Sequence, residues 1–444
     1  MNNLKDKLSA KAQLVCILVC MAVTLIAPMS AQTGAWTSPV VLSTGGQGWE
    51  AAAAIDGSGN SVALWDERTT QDQLWSRSRP SAGNWGSVTK VSPALQTTSV
   101  FPAVRISSAG FATAVWSDQN GVWTADRPPA SNWNPPQLLL PGVSNPIFVM
   151  NSLGDAAIAW TVGGGPRSSS GSVMAVLRPV GATWTAQQTV TSGVHLFADH
   201  AGIGENGAVI VTWETYNAVC SKYGCVLSSY VLHASRKNAG TISWVDSGSL
   251  LGPDRAAHAA LVALDSTGEA MLVALSSSGA YISTTQGNSG GAWSPFKTVV
   301  NPQGPTIISD LASDDAGQVT LVYEFISYPT SQALAVSATI SNNTWSSPVV
   351  LSGSDTNVSQ VYFALAPSGT ALAVWLSSGG TPVIHAATRR TATGTWGSPI
   401  TVSGPGSSIG PEAAAVESSG NAIAIYSGYN SAGVHTEYVT NYQP

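Results

Sequence analysis

Lysine is almost missing from this chain, and charge of either sign is scarce. Asp, Glu, Lys and Arg together make up 9% of 444 residues, with 18 basic residues against 24 acidic ones. Lys5, Lys7 and Lys11 sit at the N-terminus, so beyond it only Lys90, Lys222, Lys237 and Lys297 remain. A nucleic-acid binder needs clustered cations for phosphates, and this sequence has none to cluster. Cysteine is nearly as rare, at four residues. A sustained 3.6-residue apolar period is absent after residue 31, which excludes a helical architecture. Long apolar runs are missing too, except Leu14 to Ala27.

That one run follows three lysines and precedes Pro28 and small residues up to Ala31. It is too short and wrongly flanked for a membrane span and has the form of a secretory signal peptide. The expected processed chain is therefore 32–444, secreted or periplasmic and not membrane-spanning. Loss of 1–31 removes three lysines and Asp6, leaving 15 basic against 23 acidic residues. It also removes Cys16 and Cys20. Cys220 and Cys225 are left, five positions apart, with no His or third Cys beside them. In an oxidising compartment that pair reads as a disulfide closing a loop rather than as a metal site.

What the sequence does have is a repeat of about fifty residues. A tryptophan after a Gly/Ser/Asn-rich turn recurs as Trp36, Trp85, Trp133, Trp184, Trp244, Trp293, Trp345 and Trp396, at gaps of 49, 48, 51, 60, 49, 52 and 51. A second mark runs in phase with it, a turn glycine at Gly59, Gly110, Gly154, Gly207, Gly268, Gly317, Gly369 and Gly420. Six residues later stands Trp65, Trp116, Trp160, Trp213, Tyr323, Trp375 or Tyr426, with Ala274 the exception. Between glycine and aromatic the pattern alternates, as in Ser61, Ala63 and Trp65 against Val62 and Leu64. Neither face of such a strand is charged, so both are buried. Sheets buried on both faces without helices must stack on one another. Eight in-phase units predict an all-β, eight-bladed propeller of four-stranded antiparallel blades. The chain opens on a fourth-strand segment, Trp36 to Leu42, and ends on a third strand near Val434 to Val439. The N-terminal strand is therefore expected to complete the last blade and close the ring.

The turn before each lead tryptophan, as in Arg77-Ser78-Arg79-Pro80-Ser81-Ala82-Gly83-Asn84-Trp85, resembles the Asp-box of sialidase-like (BNR-repeat) propellers. The family pattern is Ser-x-Asp-x-Gly-x-Thr-Trp. Gly181-Ala182-Thr183-Trp184 and Gly394-Thr395-Trp396 keep its glycine and tryptophan, whereas the Asp is missing from every copy. The blade number departs as well, since sialidases have six. More loosely, the chain is similar to Trp-repeat propeller lectins. The resemblance implies either a glycan-binding surface or a glycosidase with three arginines, a Tyr–Glu pair and an Asp acid. Arg68, Arg105 and Arg255 and the pair Tyr323-Glu324 are the residues here that could fill those roles. However, Phe101-Pro102-Ala103-Val104-Arg105 is not the family's Arg-Ile-Pro signature, and Tyr323 occupies the buried aromatic position of its repeat.

Function in a propeller concentrates on the face carrying the variable loops between strands 2 and 3 and between successive blades. The polar residues expected there supply candidate carboxylates for acid–base work, Glu324, Asp310 and Glu214. Candidate binding residues are Trp49, Glu50, Asp66, Arg68, Tyr216 and Arg255. Exposed aromatics among Asn, Ser and Asp suit sugars, whose ring faces stack while their hydroxyls take hydrogen bonds, and they suit protein recognition equally. His195, Asp199 and His200 have a metal-like spacing, but on a strand His200 would point away from the other two. The leading expectation is a non-catalytic, monomeric propeller binding a glycan or protein ligand, with no metal or cofactor. A glycoside hydrolase or polysaccharide lyase on the same face is the first alternative, and a structural envelope or matrix protein the second.

Overall fold

In the computed structural model the chain is all-β, with no helix among the described residues, which are 34–43, 47–68, 72–92, 101–168, 170–222, 224–250, 257–276, 282–300, 306–327, 329–404 and 408–444. The expected signal peptide, Arg255 and Asp254 lie outside them. Eight antiparallel sheets follow one another along the sequence. Blade 1 consists of Gln47–Ile55, Ser61–Arg68, Asp72–Arg79 and Thr89–Lys90, paired in that order. Blades 2 to 7 repeat this over 103–141, 147–193, 196–249, 257–300, 306–350 and 358–401. In blade 8, Ser408–Val416, Ala422–Tyr429 and His435–Gln443 are the first three strands.

The fourth position of blade 8 is filled from the other end of the chain. Val40 and Val41 pair with Val439 and Tyr438, Thr37 donates its N–H to the Asn441 carbonyl at 2.8 Å, and Trp36 packs on Tyr442 at 5.4 Å. The first strand of each blade contacts the first strand of the next, and that of blade 8 contacts that of blade 1. The result is the closed eight-bladed β-propeller read from the repeat, with an edge at neither terminus.

The two repeat marks play different parts. The aromatics six residues after the turn glycine, such as Trp65, Trp116, Trp160 and Trp375, are wholly buried between blades. The lead tryptophans are only half-buried; Trp133 donates to Ser76 Oγ at 2.7 Å and Trp293 to Ser247 Oγ at 2.7 Å. The turn glycines hold φ between +74° and +104°, a region open to glycine at no steric cost. An Asx cap completes several of these turns, as where Asp56 Oδ1 accepts from the N–H groups of Ser58 and Asn60, both at 2.9 Å. Cys220 and Cys225 are bonded. They lie not in an irregular loop but opposite each other in a long β-arm, Val209–Ser221 against Gly224–Lys237.

One irregularity decides where the polar side chains go. The inner strand of six blades slips register near its start, at Trp49–Glu50, Asp199, Ala259, Ser309, Gln360–Val361 and Glu412. Such bulges re-aim a side chain without ending the strand.

Candidate functional site

Blade 8 meets blade 1 at the junction where the two ends of the chain are joined. On the variable-loop face of this junction the bulge at Trp49–Glu50 sits beside the end of the second strand, where Asp66 and Arg68 stand, and beside the start of His435–Gln443. Trp49 stacks on His435 with centroids 4.7 Å apart and planes 11° apart. The Arg68 guanidinium lies over the same indole at 5.1 Å, and Tyr429 meets His435 edge-on at 5.8 Å. Arg68 Nε is also 3.3 Å from Asp72 Oδ1. Glu50, at the unusual φ of +23°, accepts the backbone N–H of Phe101 in blade 2 at 2.9 Å. Behind them Glu437 is fully buried against Gly48, where an added Cβ would come within 2.7 Å of Glu437 Cγ. Neither oxygen of Glu437 has a hydrogen-bond partner.

The electrostatics of this cluster all push in one direction. Burial and the charges of Asp72 and Glu50 raise Asp66 to about 7 against the pull of Arg68. Burial also raises Glu412 to about 7, although it accepts hydrogen bonds from Ser427 and the Ala51 N–H. Burial lifts Glu50, and burial together with Glu412 lifts Glu437 well above the carboxylate range. Tyr362 of blade 7 is raised by burial and by Glu412 and Glu50. Carboxyls so placed share protons near neutrality, and each protonated one both donates and accepts a hydrogen bond.

Four aromatic side chains are exposed among the described residues: Trp49 at 38%, Phe101 at 55%, Tyr362 at 40% and Tyr429 at 51%. They come from blades 1, 2, 7 and 8, which are contiguous across the junction; Trp49, Phe101 and Tyr429 lie at its variable-loop end, and Tyr362 sits further along the inner strand, opposite Val374.

The structure thus brings together Trp49, Glu50, Asp66 and Arg68 and separates them from Glu214, Asp310, Glu324 and Tyr216. Glu214 is buried in blade 4 with neither carboxyl oxygen hydrogen-bonded. Burial and the charge of Asp199 push it up to about 8. Asp199, at about 6 through burial, accepts the Ala260 N–H at 2.5 Å. Asp310 does not stand on the variable-loop face: it lines the central channel with Arg105 and His200. Arg68 and Arg105 therefore do not serve one site. Glu324 is buried in blade 6 and raised by desolvation alone. Tyr216 closes a separate 370 Å³ pocket between blades 3 and 4, donating its hydroxyl to the Gly164 carbonyl at 2.8 Å. Among the described residues no group of three His, Cys, Asp or Glu is placed to hold a metal ion. Nor is any helix of those residues long and apolar enough to cross a membrane.

Sequence reasoning missed Phe101, His435 and Glu437. Phe101 and Glu50 are nine residues before Gly110 and Gly59, the same repeat position, and that equivalence was the available signal. His435 and Glu437 carried no signal, because their partners lie almost 400 positions away and meet them only on ring closure.

Neither a protein-family model nor a curated protein matches the sequence. Solved structures do share the architecture. A puromycin hydrolase superposes with a TM-score of 0.50 at 14% identity, covering 89% of this chain and 62% of that one. An ulvan lyase described as a new family of polysaccharide lyase gives 0.47 at 11% identity, over 91% and 93%. A leech intramolecular trans-sialidase gives 0.40 at 9% identity, over 91% and 98%. The likeness to the hydrolase, at 14% identity, speaks to the propeller fold and to nothing beyond it.

Proposed function

We propose that this protein is a secreted carbohydrate-binding propeller, made with residues 1–31 as a signal peptide, that takes a neutral glycan at the junction of blades 8 and 1. The observation that carries this reading is the gathering of all four exposed aromatics of the described residues in the sector of blades 7, 8, 1 and 2. They surround carboxyls that are partly protonated near neutrality. Aromatic faces offer apolar contact to a sugar ring, and half-protonated carboxyls match hydroxyls that both give and take hydrogen bonds. Trp49 itself is held between neighbours, so Tyr362, Phe101 and Tyr429 provide the open faces. An anionic sugar would meet four carboxyl groups here and one guanidinium already close to Asp72.

A second reading has its own support. Asp66 and Glu412 titrate near 7 beside Glu50, and a protonated carboxyl beside an ionised one is what glycoside hydrolysis requires. A glycan array read both for retention and for released products separates the two. Retention of a neutral glycan without products, lost in Tyr362→Ala, supports the binding reading. Released sugar that disappears in Glu412→Gln establishes the hydrolase instead, and no retention or release at all overturns both.

A further inference from the structure

The central channel holds polar groups that the junction site does not use. A cavity of about 580 Å³ in it is lined by Arg105 of blade 2, His200 of blade 4 and Asp310 of blade 6. Blades 2 and 6 are four apart in a ring of eight, so Arg105 and Asp310 approach from opposite walls. The guanidinium makes one hydrogen bond, from Nη1 to its neighbour's carbonyl on Val104 at 3.0 Å. Asp310 accepts only the Leu311 N–H, at 2.7 Å. They are close enough for each charge to act on the other, but no ion pair within 4 Å joins them. Both residues line the cavity. His200 accepts the Val262 N–H on Nδ1 at 3.3 Å. Burial and Arg105 hold this ring's pKa down, at about 4, so the neutral imidazole keeps its proton on Nε2 as a donor. The wall also includes Val149, Ile203 and Leu311, while the other carboxyls of the lining are Glu205, which is bonded to Ser152; Asp314 and Glu417, which cap their own turns; and the exposed Asp315.

An unclosed pair of opposite charges across a cavity with aliphatic side chains in part of its wall is matched by a ligand carrying the complementary pair. We infer that the central channel binds a small zwitterion, an α-amino acid with an apolar side chain, whose carboxylate meets Arg105 and the His200 Nε2–H, whose ammonium meets Asp310, and whose side chain lies on the aliphatic wall. A guanidinium and a carboxylate form charge-assisted bonds to such groups, stronger than neutral ones. A simple anion would leave Asp310 unanswered and a simple cation would leave Arg105 so, whereas a zwitterion meets both charges at once. This site is separate from the junction and does not depend on what binds there.

The test uses the full processed chain and three probes of one shape: L-leucine, 4-methylvalerate without the ammonium, and isopentylamine without the carboxylate. Saturation-transfer NMR and thermal shift at millimolar probe should both report L-leucine, with the single-charge probes at least tenfold weaker. Arg105→Met and Asp310→Asn should each abolish the L-leucine signal while the circular dichroism of the free protein is unchanged. Should either variant fail to fold, His200→Leu, which removes the Nε2–H donor, should weaken L-leucine severalfold. Absence of an L-leucine signal overturns the inference, as does equal response to 4-methylvalerate or isopentylamine, or full retention in the channel variants.

Discussion

Replacing Asp66 by asparagine should flatten the pH dependence of stability, and the structure sets both sign and size. Asp66 has an ordinary value of 3.8 and is raised to about 7 in the fold by burial, by Asp72 and by Glu50. Between those two values the folded chain binds more protons than the unfolded one, so stability falls as pH rises through the window. This is the reverse of the usual salt-bridged carboxylate, because here the fold favours the neutral form. For a single group with those two pKa values, linkage gives a loss of about 2.7 kcal/mol between pH 5 and pH 8. A ring of about 400 residues unfolds with an entropy near 0.9 kcal/mol/K, so that loss corresponds to about 3 °C in melting temperature. Asparagine keeps the shape and cannot ionise. Thermal melts of wild type and Asp66→Asn at pH 5, 6, 7 and 8 should therefore diverge by about that amount, with wild type losing more. Parallel curves, or a wild type that gains on the variant as pH rises, would refute the electrostatic account of the junction.

Deleting residues 36–42 should lower the melting temperature markedly and promote association, because blade 8 loses the pairing of Val40–Val41 and exposes the strand His435–Gln443; an unchanged melt would contradict closure. Trp375→Ala should cost about 3–5 kcal/mol as a fully buried aromatic, and Trp345→Ala only about 1–2 kcal/mol because part of its surface already meets water. Denaturant titration of the two variants tests that ranking, and equal costs would mean that both marks are core. Reducing Cys220–Cys225 should add two hydrogens by mass spectrometry and destabilise by about 2 kcal/mol at most, since the closed loop is short; a collapse of the whole ring on reduction would make the arm part of the core.

The ring was legible because every unit repeats the same physical constraint. A turn that only glycine tolerates, followed by a strand with no charge on either face, admits few alternatives, and eight in-phase copies fix the blade number. Ring closure was legible from the order of strand types at the two ends. Depth of burial was not: the lead tryptophans and the Trp65-type aromatics are equally regular in sequence, yet only the second set is enclosed. The register slips were hidden as well, since an apolar alternation looks the same with or without one extra residue. Asp310 therefore read as a variable-face carboxylate, while the slip at Ser309 leaves it on the channel wall. The β-arm formed by Val209–Ser221 and Gly224–Lys237 read as a loop because its outer part, with Val219, Val226 and Leu227 exposed, has no buried apolar face to betray a strand.

At the junction, Trp49, Glu50, Asp66 and Arg68 were found together because the start of strand 1 and the end of strand 2 are neighbours in any antiparallel blade. Their setting depends on the rest of the chain. Glu437 and His435 reach Gly48 and Trp49 only when the last blade is completed by the first residues, so the buried carboxyls exist as a cluster only in the closed ring. Closure must then bear the cost of burying Glu437 beside Glu412, which stands in the same blade, and protonation offsets that cost. Anything else that satisfies those carboxyls offsets it too. A ligand hydrogen-bonded to protonated Glu412 and Asp66 stabilises the closed ring by mass action, and it does so most where those carboxyls keep their protons and can both donate and accept. The proposed glycan should accordingly raise the melting temperature more at pH 5 than at pH 8, and this difference should vanish in Asp66→Asn/Glu412→Gln. A shift independent of pH would place the ligand away from the junction.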